Sequence, residues 1–170
     1  GNLTVIAQSL RGLVTWSHHV MRFPLTLLWA LALWGLAHMA GGSLQVCGKV
    51  LYNLVLLPIA GDGELRILKY DQLVHFYGFA VTAWMLWFIL QKRAPQLRRT
   101  LAVYTFPALA SMGLGAVNEI VEFSAVMLVP HTNVGGYYNT ALDLVFNALG
   151  AIFAMLVCAA WDWVQARSPR

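Results

Sequence analysis

This sequence contains few charged residues: only 11% of its 170 residues are Asp, Glu, Lys or Arg, whereas 59% are hydrophobic. Soluble domains carry about 25% charged residues, so this chain has too few charges to cover the surface of a soluble globule. Disorder and nucleic-acid binding are therefore excluded as leading interpretations, despite the net charge of +4. The two cysteines have neither metal-ligand nor redox spacing. Such a composition indicates an integral membrane protein.

Four apolar runs are long enough to cross a bilayer, which takes roughly 20 mainly apolar residues. They lie at about residues 24–41, 72–91, 101–129 and 141–164. Together they use most of the chain and leave little for a separate soluble domain. The sequence therefore predicts a single all-α domain, a polytopic membrane helix bundle with about four transmembrane helices.

Two further segments are predicted to be helical without spanning the membrane. Residues 1–22 have apolar residues at near-helical spacing, which favours an amphipathic helix on the membrane surface; a longer, bent start to the first span is the alternative. Residues 44–60 are apolar but short, and they contain Lys49 and Asn53. We expect them to form a short outer-side or re-entrant helix.

Positive charge marks one side of the membrane. Residues 92–99, between the second and third predicted spans, contain four of the basic residues. By the positive-inside rule this loop faces the cytoplasm. Both chain termini are then expected to be cytoplasmic as well.

Acidic residues are scarcer than basic ones, seven in all, yet four of them lie in or at the mouth of predicted spans. An ionised group in the bilayer core costs about 2.5–3.5 kcal/mol on insertion scales, so such residues are candidates for function. With a His and an Asn they form three pairs at helical i,i+3 or i,i+4 spacing, each sharing one helix face. The pairs are Asp71 with His75, Glu119 with Glu122, and Asp143 with Asn147. The predicted topology places all three at the outer side.

Carboxylates this close together need a metal ion, shared protons or cationic partners when they are removed from water. One His with two or three carboxylates suits zinc, or manganese or magnesium with added waters. The candidate metal ligands are Asp71, His75, Glu119, Glu122 and Asp143. The candidate catalytic residues are His75, Glu119, Glu122 and Asp143. A carboxylate that does not bind the metal would act as the general base. The alternative interpretation is a protonated hydrogen-bond network that holds the helices together.

Further polar residues surround the predicted outer mouth. The candidate substrate-binding residues are Asn147, His131, Arg66, Lys69 and Tyr137. Of these, Arg66 and Lys69 would meet an anionic headgroup. His38, alone near the outer end of the first span, is expected to be a packed or snorkelling side chain.

Four motifs carry a family resemblance. They are Tyr70-Asp71-x-x-x-His75-Phe76, Asn118-Glu119-x-x-Glu122-Phe123, Gly136-Tyr137 and Asp143-Leu144-x-x-Asn147-x-x-Gly150-Ala151. Together they cover about residues 70–152 and resemble the YjdF-like family of uncharacterised bacterial inner-membrane proteins, and more distantly the VanZ-like family. The resemblance implies a multi-spanning membrane protein whose polar site is built from the three pairs above. It implies no particular reaction.

Two functions fit these predictions. The first is metal-assisted hydrolysis or transfer on a lipid or envelope precursor at the outer face. The second is a non-catalytic envelope, stress or accessory protein that binds an ion, a lipid or a partner subunit through the same residues. Proton or cation movement is less favoured, because the predicted cytoplasmic half lacks matching ionisable residues.

Overall fold

A computed structural model describes residues 21–60, 67–128 and 136–167. Four long helices lie within these ranges: α1 (Leu25–Ser43), α2 (Tyr70–Arg93), α3 (Ala102–Leu128) and α4 (Tyr137–Arg167). Each is long and apolar enough to cross a membrane, which confirms the all-α bundle. Helices α2 and α4 are longer than the apolar runs that predicted them, because both continue into polar residues. The predicted N-terminal amphipathic helix lies almost wholly outside the described residues.

Helix α2 organises the bundle. It packs against α1, α3 and α4, and the last two helices also pack against each other. Without a hydrophobic driving force between helices in lipid, small interfacial residues favour association by allowing close backbone approach. The buried cluster where these helices meet consists of Ala83, Ala108, Ala151, Ala154, Met155 and Cys158.

Two contacts bring the helices especially close. A Cβ added at Gly150 of α4 would overlap the backbone carbonyl oxygen of Phe76 on α2. On α3, Ser111 is fully buried and its hydroxyl donates to the carbonyl of Phe79 over 2.8 Å. These contacts hold α3 and α4 in register with α2.

The segment between α1 and α2 contains short strands. Its elements are β1 (Gln45–Val46), β2 (Lys49–Val50), a 3₁₀ turn (Leu51–Asn53), β3 (Val55–Ala60) and β4 (Ile67–Lys69). β1 pairs antiparallel with β2, and β3 pairs antiparallel with β4.

The prediction of a short outer-side or re-entrant helix at residues 44–60 is therefore wrong. Cys47 and Gly48 have φ values of +52° and +74°. Two successive positive φ values belong to a tight hairpin turn and interrupt a helix. Pro58, within β3, has no N–H with which to continue a helix. The apolar composition of this segment is consistent with a helix or with strands. The positive φ values at Cys47 and Gly48 exclude a continuous helix there and allow the hairpin.

Charge is divided between the two ends of the bundle. We call the end where α2 and α4 begin the acidic end; the strands lie there too. The opposite end, where α2 and α4 finish, is the basic end. Its described cations are Arg22, Lys92, Arg93, Arg98, Arg99 and Arg167. Among the described residues, the one carboxylate at that end is Asp162, which accepts a 2.7 Å hydrogen bond from the Tyr104 hydroxyl.

Candidate metal centre

Polar side chains from three helices meet at the acidic end, as the sequence predicts. We call this set the carboxylate–histidine cluster; its members are Asp71 and His75 of α2, Glu119 and Glu122 of α3, and Asp143 and Asn147 of α4. His75 and Glu119 are 6% exposed, while Asp143 and Asn147 are 1% exposed. Such burial removes most of the water that would otherwise solvate the carboxylates.

Asn147 fixes the tautomer of His75. The Nδ1–H of His75 donates to Oδ1 of Asn147 over 2.9 Å. Because an amide oxygen can only accept, this contact holds a proton on Nδ1 and leaves a lone pair on Nε2 of the neutral ring. Nε2 lies 3.6 Å from Oδ1 of Asp71, one helical turn earlier. The ring therefore presents a free donor atom beside a carboxylate.

Asn139 donates hydrogen bonds to one carboxylate oxygen, Oδ2, of each of two aspartates. Its Nδ2 donates to Oδ2 of Asp143 over 2.6 Å and to Oδ2 of Asp71 over 3.3 Å. Each aspartate keeps Oδ1. On Asp71 this oxygen is the one near His75, and on Asp143 it is buried without a hydrogen-bond partner among the described residues. Asn139 thus links α2 to α4 and leaves one oxygen of each aspartate available.

Three residues of the cluster have the spacing of a cation site. Donor atoms of Asp71, His75 and Asp143 lie within 4.8 Å of one another. Imidazole nitrogen and carboxylate oxygen are ligands for zinc and manganese, and a metal-binding His commonly donates its other ring N–H to a neighbouring group. Asn147 accepts such a hydrogen bond here. The three residues and their hydrogen-bond partners therefore fit a divalent cation.

The two glutamates of α3 differ in their hydrogen bonds and in their burial. Neither carboxylate oxygen of Glu119 has a hydrogen-bond partner among the described residues, and Oε1 lies 3.9 Å from Nδ1 of His75. Glu122 is half-buried, and it accepts a 2.8 Å hydrogen bond from Nδ2 of Asn118. Donor atoms of both glutamates and His75 also lie within 4.8 Å of one another. Nδ1 of His75 already donates to Asn147, so Glu119 lies beside the ring and has no hydrogen bond to it among the described residues.

Tyr52, in the 3₁₀ turn, hydrogen-bonds α1 close to the cluster. Its hydroxyl lies 2.7 Å from Nδ1 of His38 and 2.8 Å from the His38 carbonyl oxygen. Burial, and then the negative charges of Asp71, Glu122 and other acids, raise the pKa of Tyr52 well above its usual range. The phenol therefore stays protonated at neutral pH. His38 packs beside the rings of Trp34 and Tyr52, as predicted for a packed side chain.

The structure places the predicted substrate-binding residues in different surroundings. Asn147 lies in the cluster as the partner of His75. Lys69 immediately precedes α2 and is half-buried. Tyr137 is 81% exposed and its ring packs against Tyr138, so it is not part of the buried cluster. Arg66 and His131 lie outside the described residues.

Sequence reasoning missed Asn139 as a residue of the site and Tyr52 as a residue close to it. The spacing of four residues between Asn139 and Asp143 puts both on one helix face and is the signal that could have found Asn139. Tyr52 had no comparable signal, because it lies in the segment that was predicted to be helical. Its position depends on the two short strand pairs on either side.

Gly115 of α3 keeps Asn147 in place, which gives a test of the His75 tautomer. A Cβ at Gly115 would lie 2.8 Å from Nδ2 of Asn147. We expect Gly115→Ala to displace this amide, which would remove about 1 kcal/mol of hydrogen bonding and shift the tautomer ratio of His75 about fivefold toward Nε2–H. Imidazole ¹⁵N NMR, with the signal assigned through His75→Gln, measures the ratio.

Gly113→Ala is the matched control, because a Cβ at Gly113 meets nothing within 4 Å. It should leave the His75 spectrum unchanged. An unaltered tautomer ratio in Gly115→Ala would contradict the role assigned to Asn147.

The apolar helices and the family comparison together define this chain as a polytopic membrane protein. The chain belongs to the DUF2238 family of predicted membrane proteins, whose model matches residues 2–163. This confirms the resemblance to a YjdF-like family of uncharacterised membrane proteins; the more distant VanZ-like resemblance stays a prediction.

A protein of Thermotoga maritima described as uncharacterized is also similar, with 30% identity over 86 residues. The match covers 50% of this chain and 45% of that protein, so it spans about half of each. No solved structure gives a significant match.

Proposed function

We propose that this membrane protein binds a divalent cation through Asp71, His75 and Asp143. The observation that carries the proposal is Oδ1 of Asp143, which is buried without a hydrogen-bond partner among the described residues. A buried, unpaired carboxylate oxygen is strongly unfavourable. A cation beside it would remove this penalty, and Nε2 of His75 and Oδ1 of Asp71 are the donors that would complete the site.

The donor set limits the choice of cation. One imidazole and two carboxylates suit zinc with a fourth, open position, or manganese or magnesium with several waters. The hydrogen bonds from Asn139 and to Asn147 would orient the ligands before the cation arrives. Outer contacts of this kind typically change metal affinity by about 10- to 100-fold.

For the reaction, we infer metal-assisted hydrolysis or transfer on a lipid or envelope precursor. A bound cation supplies Lewis acidity. Glu119 is suited to accept the proton of the attacking water, because its oxygens are unpaired and close to His75. Lys69, at the start of α2, and Arg66 would meet an anionic headgroup. The positive-inside rule favours placing this end on the outer side of the bacterial inner membrane, with both termini cytoplasmic.

The burial of the proposed ligands favours a second candidate function. In it the protein is non-catalytic and holds an ion, a lipid or a partner subunit through the cluster. Two of the proposed ligands, His75 and Asp143, are 6% and 1% exposed. A large substrate would reach them with difficulty, whereas a single ion fits a buried site. The two candidates share the cation and differ in whether a reaction follows.

Both candidate functions allow a bound cation, and measuring the metal content of the protein tests for it. Detergent-purified protein, loaded with zinc or manganese and dialysed, should retain about one equivalent of metal per chain. Asp143→Asn should retain at least tenfold less, because the amide offers no anionic oxygen. Asp162→Asn is the matched control: it alters an aspartate of the same helix at the basic end and should retain the wild-type amount. Equal metal in all three proteins, or none in any of them, would overturn the proposal.

A further inference from the structure

Two buried polar groups of the carboxylate–histidine cluster have opposite hydrogen-bonding needs. Nδ2 of Asn147, a donor on α4, has no partner within the part of the chain that the structure describes. The two carboxylate oxygens of Glu119, which are acceptors on α3, have none among those residues either. Asn147 is 1% exposed and Glu119 is 6% exposed, so bulk water does not solvate either group. An unpaired buried donor and an unpaired buried acceptor are each unfavourable.

The two groups lie at the same contact between α3 and α4. Oδ1 of Asn147 and Oε1 of Glu119 lie 2.9 Å and 3.9 Å from one atom, Nδ1 of His75. The amide of Asn147 also packs on Gly115 of α3, where a Cβ would lie 2.8 Å from Nδ2. Gly115 and Glu119 are four residues apart and therefore lie on one face of α3. The donor on α4 thus packs on the face of α3 that bears the acceptor.

Water has the chemistry that both groups need. A water oxygen accepts from an amide N–H, and a water O–H donates to a carboxylate. Buried waters typically make about three hydrogen bonds to polar groups that would otherwise be unsatisfied, and a bridging water is nearly as favourable as a direct hydrogen bond. A metal cation fits this position less well, because Asn147 would direct an N–H at it and Nδ1 of His75 already carries a proton.

We propose that Glu119 and Asn147 hold one water molecule between α3 and α4, which accepts from Nδ2 and donates to one carboxylate oxygen. The Asn147 amide then connects this water to His75, because Oδ1 of the same amide accepts the N–H of the ring. Glu119 is thereby linked to His75 through the water and the amide. The water lies on the Nδ1 side of the ring, whereas the proposed cation uses Nε2, so the two proposals can fail separately.

NMR of the full chain in detergent, without added metal, tests the proposal. With ¹⁵N-labelled asparagine, the side-chain N–H protons of Asn147 should show a cross-peak to water in a rotating-frame experiment, where dipolar contact and proton exchange differ in sign. The amide signal is assigned by its absence in Asn147→Ser. Glu119→Met should lose the cross-peak, because Asn147 alone offers the water too few partners. Glu119→Gln should keep it, since its amide oxygen still accepts.

Glu122→Met is the matched control, because Glu122 is a glutamate of the same helix that already accepts from Asn118. It should retain the cross-peak. We expect Glu119→Met to fold, since a buried charge is costly and methionine is an apolar side chain of similar length. A wild-type protein without the cross-peak would overturn the proposal. An unchanged cross-peak in Glu119→Met, or equal loss in Glu119→Met and Glu122→Met, would overturn it as well.

Discussion

Replacing Gly150 with alanine is expected to be among the most damaging single changes in this protein. The added Cβ would overlap the carbonyl oxygen of Phe76, which is backbone within α2 and has no rotamer to relieve the clash. Overpacking a well-packed interface costs about 1–3 kcal/mol and sometimes more. We expect the upper part of that range or failure to fold, measured as the midpoint of unfolding in detergent.

The same change should also affect the carboxylate–histidine cluster. Phe76 follows His75 directly, and Gly150 lies one turn after Asn147 on α4. Separating the helices at Gly150 therefore lengthens the contact between His75 and Asn147. Gly113→Ala is the matched control, because Gly113 is in a helix with open space around its Cβ position and alanine is the better helix former. If both variants unfold at the same midpoint, the close contact of α2 with α4 is not required.

Glu119→Gln is expected to retain the metal and lose the reaction. The amide has nearly the same shape as the carboxylate but cannot accept the proton of the attacking water. Removal of a general base typically lowers a rate by about 10²- to 10⁴-fold. The measurement is hydrolysis of lipid and envelope-precursor substrates by metal-loaded protein, with metal content determined on the same samples.

Glu122→Gln provides the comparison on the same helix. Glu122 already accepts a hydrogen bond from Asn118, so it should be replaceable with a much smaller loss. Unchanged turnover in Glu119→Gln would rule out Glu119 as the proton acceptor. If the variant instead lost its metal, Glu119 would be a ligand. A wild-type protein that binds metal and hydrolyses none of these substrates would favour the non-catalytic candidate.

Much of the architecture could be predicted from composition and spacing. Long apolar runs specify membrane helices because the bilayer demands both length and apolarity. Helical spacing alone put Asp71 and His75 on one face and Asp143 and Asn147 on another, and short connections made those faces neighbours.

The remaining features depend on contacts that spacing does not encode. The pair of β1 and β2 arises from a two-residue turn at Cys47 and Gly48, where local backbone conformation outweighs apolar composition. Tyr52 reaches His38 only because those strands place the 3₁₀ turn against α1. Asn139 bridges two aspartates separated by 72 positions, a relation visible only once α2 and α4 are packed.

The bridge between α2 and α4 has a consequence for biosynthesis. Asp71 and His75 are synthesised well before Asn139, Asp143 and Asn147, because all of α3 lies between them. While the chain is being inserted, the first polar pair lacks the Asn147 oxygen that accepts from His75 and the Asn139 amide that donates to Asp71. Truncation before α4 should therefore leave this end of α2 less stable and more open to membrane proteolysis. The last helix of the bundle should thus stabilise the second after both have been inserted.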